Sequence, residues 1–157
     1  ESAISSDCPT LTRSMVAENS PYYLSGTRVV FTSDNKKHEA GMHVLNGWQR
    51  IGWDPAISKP SIGAHYKYNF NANLSLMYGA FYGSVYPDSL SINRLYQHIN
   101  LLWKQGNWET WGTFDLGLES GYSWFAAQVM NRYTLIHIGV YPSAWSYFMT
   151  QTTVAQG

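Results

Sequence analysis

The sequence predicts an all-β fold, an eight-stranded antiparallel up-and-down β-barrel with a short N-terminal helix, on three observations. Runs of β-branched and aromatic residues begin at Tyr22, and Gly, Asn, Pro and Ser interrupt them about every ten residues. Within several runs polar and apolar residues alternate with the period of two that places them on opposite faces of a strand. Aromatic residues make up 16% of the chain and charged residues 13%, the reverse of the charge-rich surface of a water-soluble domain.

The 157 residues suffice for one domain, with an arm over 1–21 and the barrel over 22–157. Asp7-Cys8-Pro9 has the form of a helix start, an N-cap residue followed by proline in the first turn, and Leu11, Met15 and Val16 follow at helical spacing. This arm reads either as an amphipathic helix lying at a membrane interface or as a frayed terminus. Strands are predicted at 23–32, 62–70, 73–85, 94–104, 107–119, 121–130, 132–141 and 144–154. An even number returns both ends of the chain to one rim.

Register tests the alternation, because two strands joined by a tight turn must agree on their faces. In 94–104 the polar set is Arg94, His98, Asn100 and Lys104, and Leu95, Ile99, Leu101 and Trp103 point the other way. In 107–119 the polar set is Glu109, Asp115 and Glu119, opposed to Trp108, Phe114, Leu116 and Leu118. A two-residue turn at Gln105-Gly106 brings the two polar sets onto one side. Turns at 120–121 and 131–132 extend that side through Tyr122, Trp124, Gln128, Tyr133 and His137, and the other through Phe125, Val129, Ile136, Ile138 and Val140. For 73–85 the alternation is clear but its phase depends on the length of the turn at 70–72.

A polar inner face with an apolar outer face describes an outer-membrane barrel. The same periodicity describes a soluble β-sandwich whose aliphatic face is the core. The first reading places the chain in the outer membrane and the second in a virion or a secreted assembly. No stretch approaches the 18 apolar residues of a spanning helix, so a span must be built of strands. Ten Lys and Arg balance ten Asp and Glu, which disfavours nucleic acid as a partner. Cys8 is the only cysteine, which excludes an internal disulfide and a cysteine-based zinc site.

Candidate chemistry falls on two connections that share one rim, a long one over 33–61 and an intermediate one over 86–93. The first carries Lys36, Lys37, His38, Glu39, His43, Trp48, Arg50, Trp53 and Asp54, a cationic and amphipathic set suited to phosphorylated glycolipid at a membrane surface. His38 and His43 lie five apart, outside the one-face spacing of a helical zinc site, and no metal or other cofactor is expected. The second connection and the strand before it carry Ser84, Tyr86, Asp88, Ser89 and Ser91. A histidine base, a hydroxyl and a carboxylate are the components of acyl transfer, although Ser and Asp beside Pro87 are also ordinary turn residues.

The segment PSIGAHYKYNFNANLSLMYGAFYGSVYPDSLSINRLYQHINLLW, following a histidine-bearing connection and an N-terminal helix candidate, resembles the small outer-membrane barrels of the lipid A palmitoyltransferase (PagP)-like family, some of them carried by bacteriophages. The resemblance implies transfer of an acyl chain from phospholipid to lipid A, with membrane lipid or lipopolysaccharide as partner. It implies a catalytic histidine at His38 or His43 and a hydroxyl from Ser84 or Ser89. The family's Asp-Ser pair aligns with Gly83-Ser84, where the carboxylate is missing, and Asp88-Ser89 restores the dipeptide about five residues further on. The alternative is a non-catalytic barrel or β-sandwich acting as a surface-binding, phage-encoded or virion structural protein.

Overall fold

A computed structural model describes residues 20–90, 92–133 and 154–156, the last by its backbone. Seven strands follow one another as β1 (Gly26–Thr32), β2 (His38–Leu45), β3 (Ser61–Asn69), β4 (Leu74–Ser84), β5 (Asn93–Gln105), β6 (Trp108–Glu119) and β7 (Tyr122–Tyr133). Each pairs antiparallel with the next in one up-and-down sheet. A three-residue segment, Val154–Gln156, pairs with β7 at Phe125–Ala127. Among the described residues the sheet is open, with β1 at one edge. No described helix is long and apolar enough to cross a membrane.

The register of β5 and β6 agrees with the alternation. Arg94 stands opposite Glu119, His98 opposite Asp115 and Lys104 opposite Glu109. The turn between them is Gly106-Asn107, one residue later than predicted, with Gly106 at φ 57°. The shift leaves even residues of β5 opposed to odd residues of β6, so the faces are unchanged. The Ser120-Gly121 turn lies where predicted, and Gly121 at φ 78° supplies the left-handed residue that a tight hairpin requires. The phase of β4 is set by a three-residue turn, 71–73, closed by the Phe70 N–H donating to the Leu74 carbonyl at 2.9 Å, which puts Tyr78 opposite Tyr66 and Tyr82 opposite Ile62. Leu74, Leu76, Tyr78, Ala80 and Tyr82 therefore face outward.

Two boundaries differ from the sequence reading. Residues 38–45, expected within a long connection, form β2, which is paired on both sides. Its HEAGMHVL run has few strong strand formers, and the ladders to β1 and β3 hold it in the sheet. The turn expected at 131–132 is absent, because β7 continues through Asn131, Arg132 and Tyr133 opposite Thr110, Glu109 and Trp108. Tyr133 consequently faces outward, its ring 4.8 Å from that of Trp108. The N-terminal helix, Cys8, Ser91, His137, the rest of the strand expected at 132–141 and nearly all of that at 144–154 lie outside the described residues.

The two faces differ in kind. Outward positions expose Val29, Phe31, Met42, Ile62, Tyr78, Ile99, Phe114 and Val129, between 38% and 75% accessible and drawn from every strand. A large apolar side chain left half in water forfeits on the order of 1 kcal/mol. Summed over such a face, the loss reaches roughly 10 kcal/mol, the whole net stability of a typical domain. Inward positions hold the buried cluster Leu45, Trp48, Phe81, Tyr96 and Trp124 and the buried polar residues Ser61, Asp115 and Gln128. At the end carrying the connections 33–37, 70–73 and 106–107 (the tight-turn end, although the Ser120-Gly121 turn lies opposite) the outer face carries Tyr68, Trp103, Trp108 and Tyr133, aromatic residues of the type that sit at a membrane interface.

Candidate functional site

The inner face is polar because strand parity collects the chain's charged residues there, and cross-strand neighbours neutralise them. Near the tight-turn end, Glu109 receives both Lys104 Nζ, at 2.7 Å, and Arg132. The Arg132 guanidinium also lies 5.1 Å from the Trp111 ring centroid. Further along, Thr113 donates to Asn100 at 2.8 Å. At the opposite end Arg94 donates twice to one Glu119 oxygen, at 2.6 and 2.8 Å. Between these ion pairs stand His43, His65 and His98. His43 Nε2 and His65 Nδ1 are 2.7 Å apart, and His65 Nε2 is 3.2 Å from Glu39 Oε1.

The β2–β3 connection (46–60) and the β4–β5 connection (85–92) emerge at one end of the sheet, the end that is the mouth if the sheet closes. The prediction that the two substantial connections share an end holds, because the additional strand β2 moves both by one place in the order. Trp48 turns inward from the first of them and is buried against Phe81 and Tyr96, with ring centroids 5.1 and 5.2 Å away and edges toward faces. The Arg94 guanidinium lies 4.7 Å above its ring. Arg50 pairs with Asp54 and donates to the Val85 carbonyl at 3.2 Å, tying the two connections together. A second clasp joins Asp88 N–H to the Ala56 carbonyl at 2.9 Å, and Ser58 N–H to the Asp88 carboxylate at 2.8 Å. Hydrogen bonds from the Ser58 hydroxyl and backbone N–H hold the Asp88 carboxyl below the usual aspartate value. Ile57, 1% exposed, seals the connection from within.

The predicted catalytic residues are distributed over both ends and both faces. His38 opens β2 at the tight-turn end and faces outward, its Nδ1 2.7 Å from the Tyr66 hydroxyl. His43 faces inward, two residues before β2 ends at the mouth. Ser84 closes β4 at the mouth on the outward parity, and its hydroxyl donates to the Tyr86 carbonyl at 2.6 Å. Asp88 and Ser89 lie in a 3-10 turn of the second connection, where the Asp88 carboxylate serves as the clasp to Ser58. The structure thus brings Ser84, Asp88 and Ser89 to one rim and puts His38 at the other, with His43 and Ser84 on opposite faces of the sheet. The cationic set divides likewise, Lys36 and Lys37 at the tight-turn end and Arg50, Trp53 and Asp54 at the mouth.

A comparison with family profiles matches residues 1–151 to the family described as "Putative beta-barrel porin-2, OmpL-like". The chain belongs to this OmpL-like porin family. The match supports an outer-membrane β-barrel kind, of this family and not of the lipid A palmitoyltransferase-like family that the sequence resembles. It is consistent with an outer-membrane location. No curated protein and no solved structure matches the chain. A porin-like barrel needs polar groups toward its lumen and apolar groups toward lipid, the distribution on the two faces of this OmpL-like sheet.

Sequence alone does not reveal His65 as the partner of His43, or Glu39 as the partner of His65. His65 alternates with Tyr66 and Tyr68 in GAHYKYN and was legible as inward-facing, but its meeting with His43 depends on β2 being a strand. Among the described residues no three His, Cys, Asp or Glu side chains converge as a complete metal cage.

Proposed function

We propose that the chain forms a closed β-barrel in the outer membrane, with a narrow, ion-pair-lined lumen that passes small hydrophilic solutes and a mouth constricted by Trp48. The observation that carries this reading is the inverted burial: exposed apolar side chains outside, paired charges inside. Closure joins the β1 edge to the C-terminal strand. All seven β1 residues are exposed, as befits a strand awaiting a neighbour. An eight-stranded barrel encloses an interior that side chains nearly fill, so a small conductance is expected.

Reconstitution of the full chain into planar lipid bilayers tests the proposal. Discrete conductance steps are expected, larger in Trp48→Ala than in the wild type. A folded, membrane-inserted protein that gives no steps in either form overturns the pore. The acyl transfer implied by the PagP resemblance predicts instead a lipid A species heavier by one acyl chain. The geometry favours the pore, since the inward His43 and the outward Ser84 face away from each other.

A further inference from the structure

The inner wall carries an imidazole pair that a solute pathway does not require. We propose that His43 and His65 bind a divalent d-block cation of the zinc type inside the lumen, with Glu39 orienting His65 from behind. The inference stands on the sheet itself and not on the pore, because the pair is set by strand register whether or not the barrel conducts.

Three features of the geometry support it. His43 on β2 stands opposite Gly63 on β3, and His65 opposite Gly41, so the two histidines are diagonal neighbours on one face with glycine beside each. The glycine is required at position 41: a Cβ there would fall 2.2 Å from His65 Cε1, so only glycine lets the imidazole lie flat across β2 toward His43. The facing nitrogens, His43 Nε2 and His65 Nδ1, are 2.7 Å apart and share one proton. Zinc–imidazole bonds of about 2.0–2.1 Å at a tetrahedral angle need a nitrogen separation near 3.3 Å. An opening of roughly half an ångström, within the reach of small χ rotations, replaces the shared proton by a metal ion.

The remaining ring nitrogen of His65 is occupied as a metal ligand's usually is. Its Nε2–H points to Glu39 Oε1 at 3.2 Å, the carboxylate-behind-histidine arrangement that fixes the tautomer and raises ligand basicity. With Nε2 protonated, Nδ1 presents its lone pair toward His43. Arg28 stands opposite His43 and opposes a cation, and Glu39 offsets that charge. Water supplies the remaining coordination positions, which suits a lumen site and gives a modest affinity. A third imidazole, His98, leans over Gly79, the one residue separating it from His65 in the same transverse row.

Zinc titration of the full chain refolded in detergent micelles, followed by isothermal calorimetry at pH 7.5, tests the site. One zinc ion per chain is expected. Binding should vanish in His65→Ala and in His43→Gln, the latter keeping hydrogen-bonding capacity and hence the fold, and should weaken about tenfold or more in Glu39→Gln. Affinity should fall at pH 5.5, where protons compete for the ring nitrogens. His38→Ala, on the outer face, should bind as the wild type does. A folded wild type that takes up no zinc at a hundredfold excess overturns the proposal. So does zinc binding that survives in His43→Gln and His65→Ala.

Discussion

Replacing Trp48 by alanine separates the mouth from the sheet that supports it. The indole is 7% exposed, so truncation removes nearly a full tryptophan's burial, and such core substitutions cost about 3–5 kcal/mol. Two edge-to-face contacts, to Phe81 and Tyr96, contribute about 0.5–1.5 kcal/mol each beyond burial, and the Arg94 stack on the order of 0.5–1 kcal/mol. These contributions overlap, so the expected loss stays near the core-substitution value. None of the strand ladders passes through residue 48, so the sheet persists while the 46–60 connection loosens. Urea unfolding in lipid vesicles should show an unfolding free energy lowered by this amount, with a correspondingly lower midpoint. Limited proteolysis should cut between 46 and 60 in the variant under conditions that leave the wild type intact. A stability change below about 1 kcal/mol, with no gain in cleavage, would refute the placement of Trp48 as the keystone of the mouth.

Three further outcomes follow from the same geometry. Glu109→Gln removes the shared acceptor of Lys104 and Arg132 on the inner wall and should destabilise the fold by about 1–3 kcal/mol in urea unfolding. Ile99→Arg places a charge at the centre of β5 on the outer face, where lipid exposure costs about 2–4 kcal/mol; refolding into vesicles should slow or fail, whereas a soluble sandwich with this aliphatic face as its core would fail to fold in water without lipid. The Asp88 clasp is acid-sensitive: its folded pKa lies below the ordinary value of 3.8, so its contribution is complete above that value and is lost as pH falls through the depressed one. Cleavage of the 46–60 connection by an acid protease should therefore rise only at strongly acid pH, and Asp88→Asn should abolish that dependence.

Much of this was legible from strand period alone. That Arg94 and Lys104 share a face with Glu109 and Glu119 follows from alternation across one tight hairpin, and a turn misplaced by one residue left that face intact while moving the partner of Lys104 from Asn107 to Glu109. What escaped was β2. Its histidines, glutamate and Gly41 read as loop, because the reason for Gly41 lies on the neighbouring strand, where the His65 ring needs the space. Missing β2 hid the His43–His65 pair, since a diagonal contact exists only between strands already in register. The inward turn of Trp48 was equally invisible: its partners Phe81 and Tyr96 lie 33 and 48 residues away in sequence and meet it only once the sheet has formed. The likeness to the acyltransferase barrels rested on strand order and a His–Ser inventory. Strand parity divides that inventory between faces, and the face of Ser84 is set by the turn at 71–73, whose length the alternation of 73–85 does not encode.

An outer-membrane barrel requires that the exposed apolar face meet lipid. Refolding the purified chain into phospholipid vesicles and comparing its electrophoretic mobility before and after boiling tests it most directly. A compact, faster-migrating band that converts to full apparent mass on heating is the predicted result; a chain that folds without detergent or lipid and shows no heat-dependent shift would contradict it.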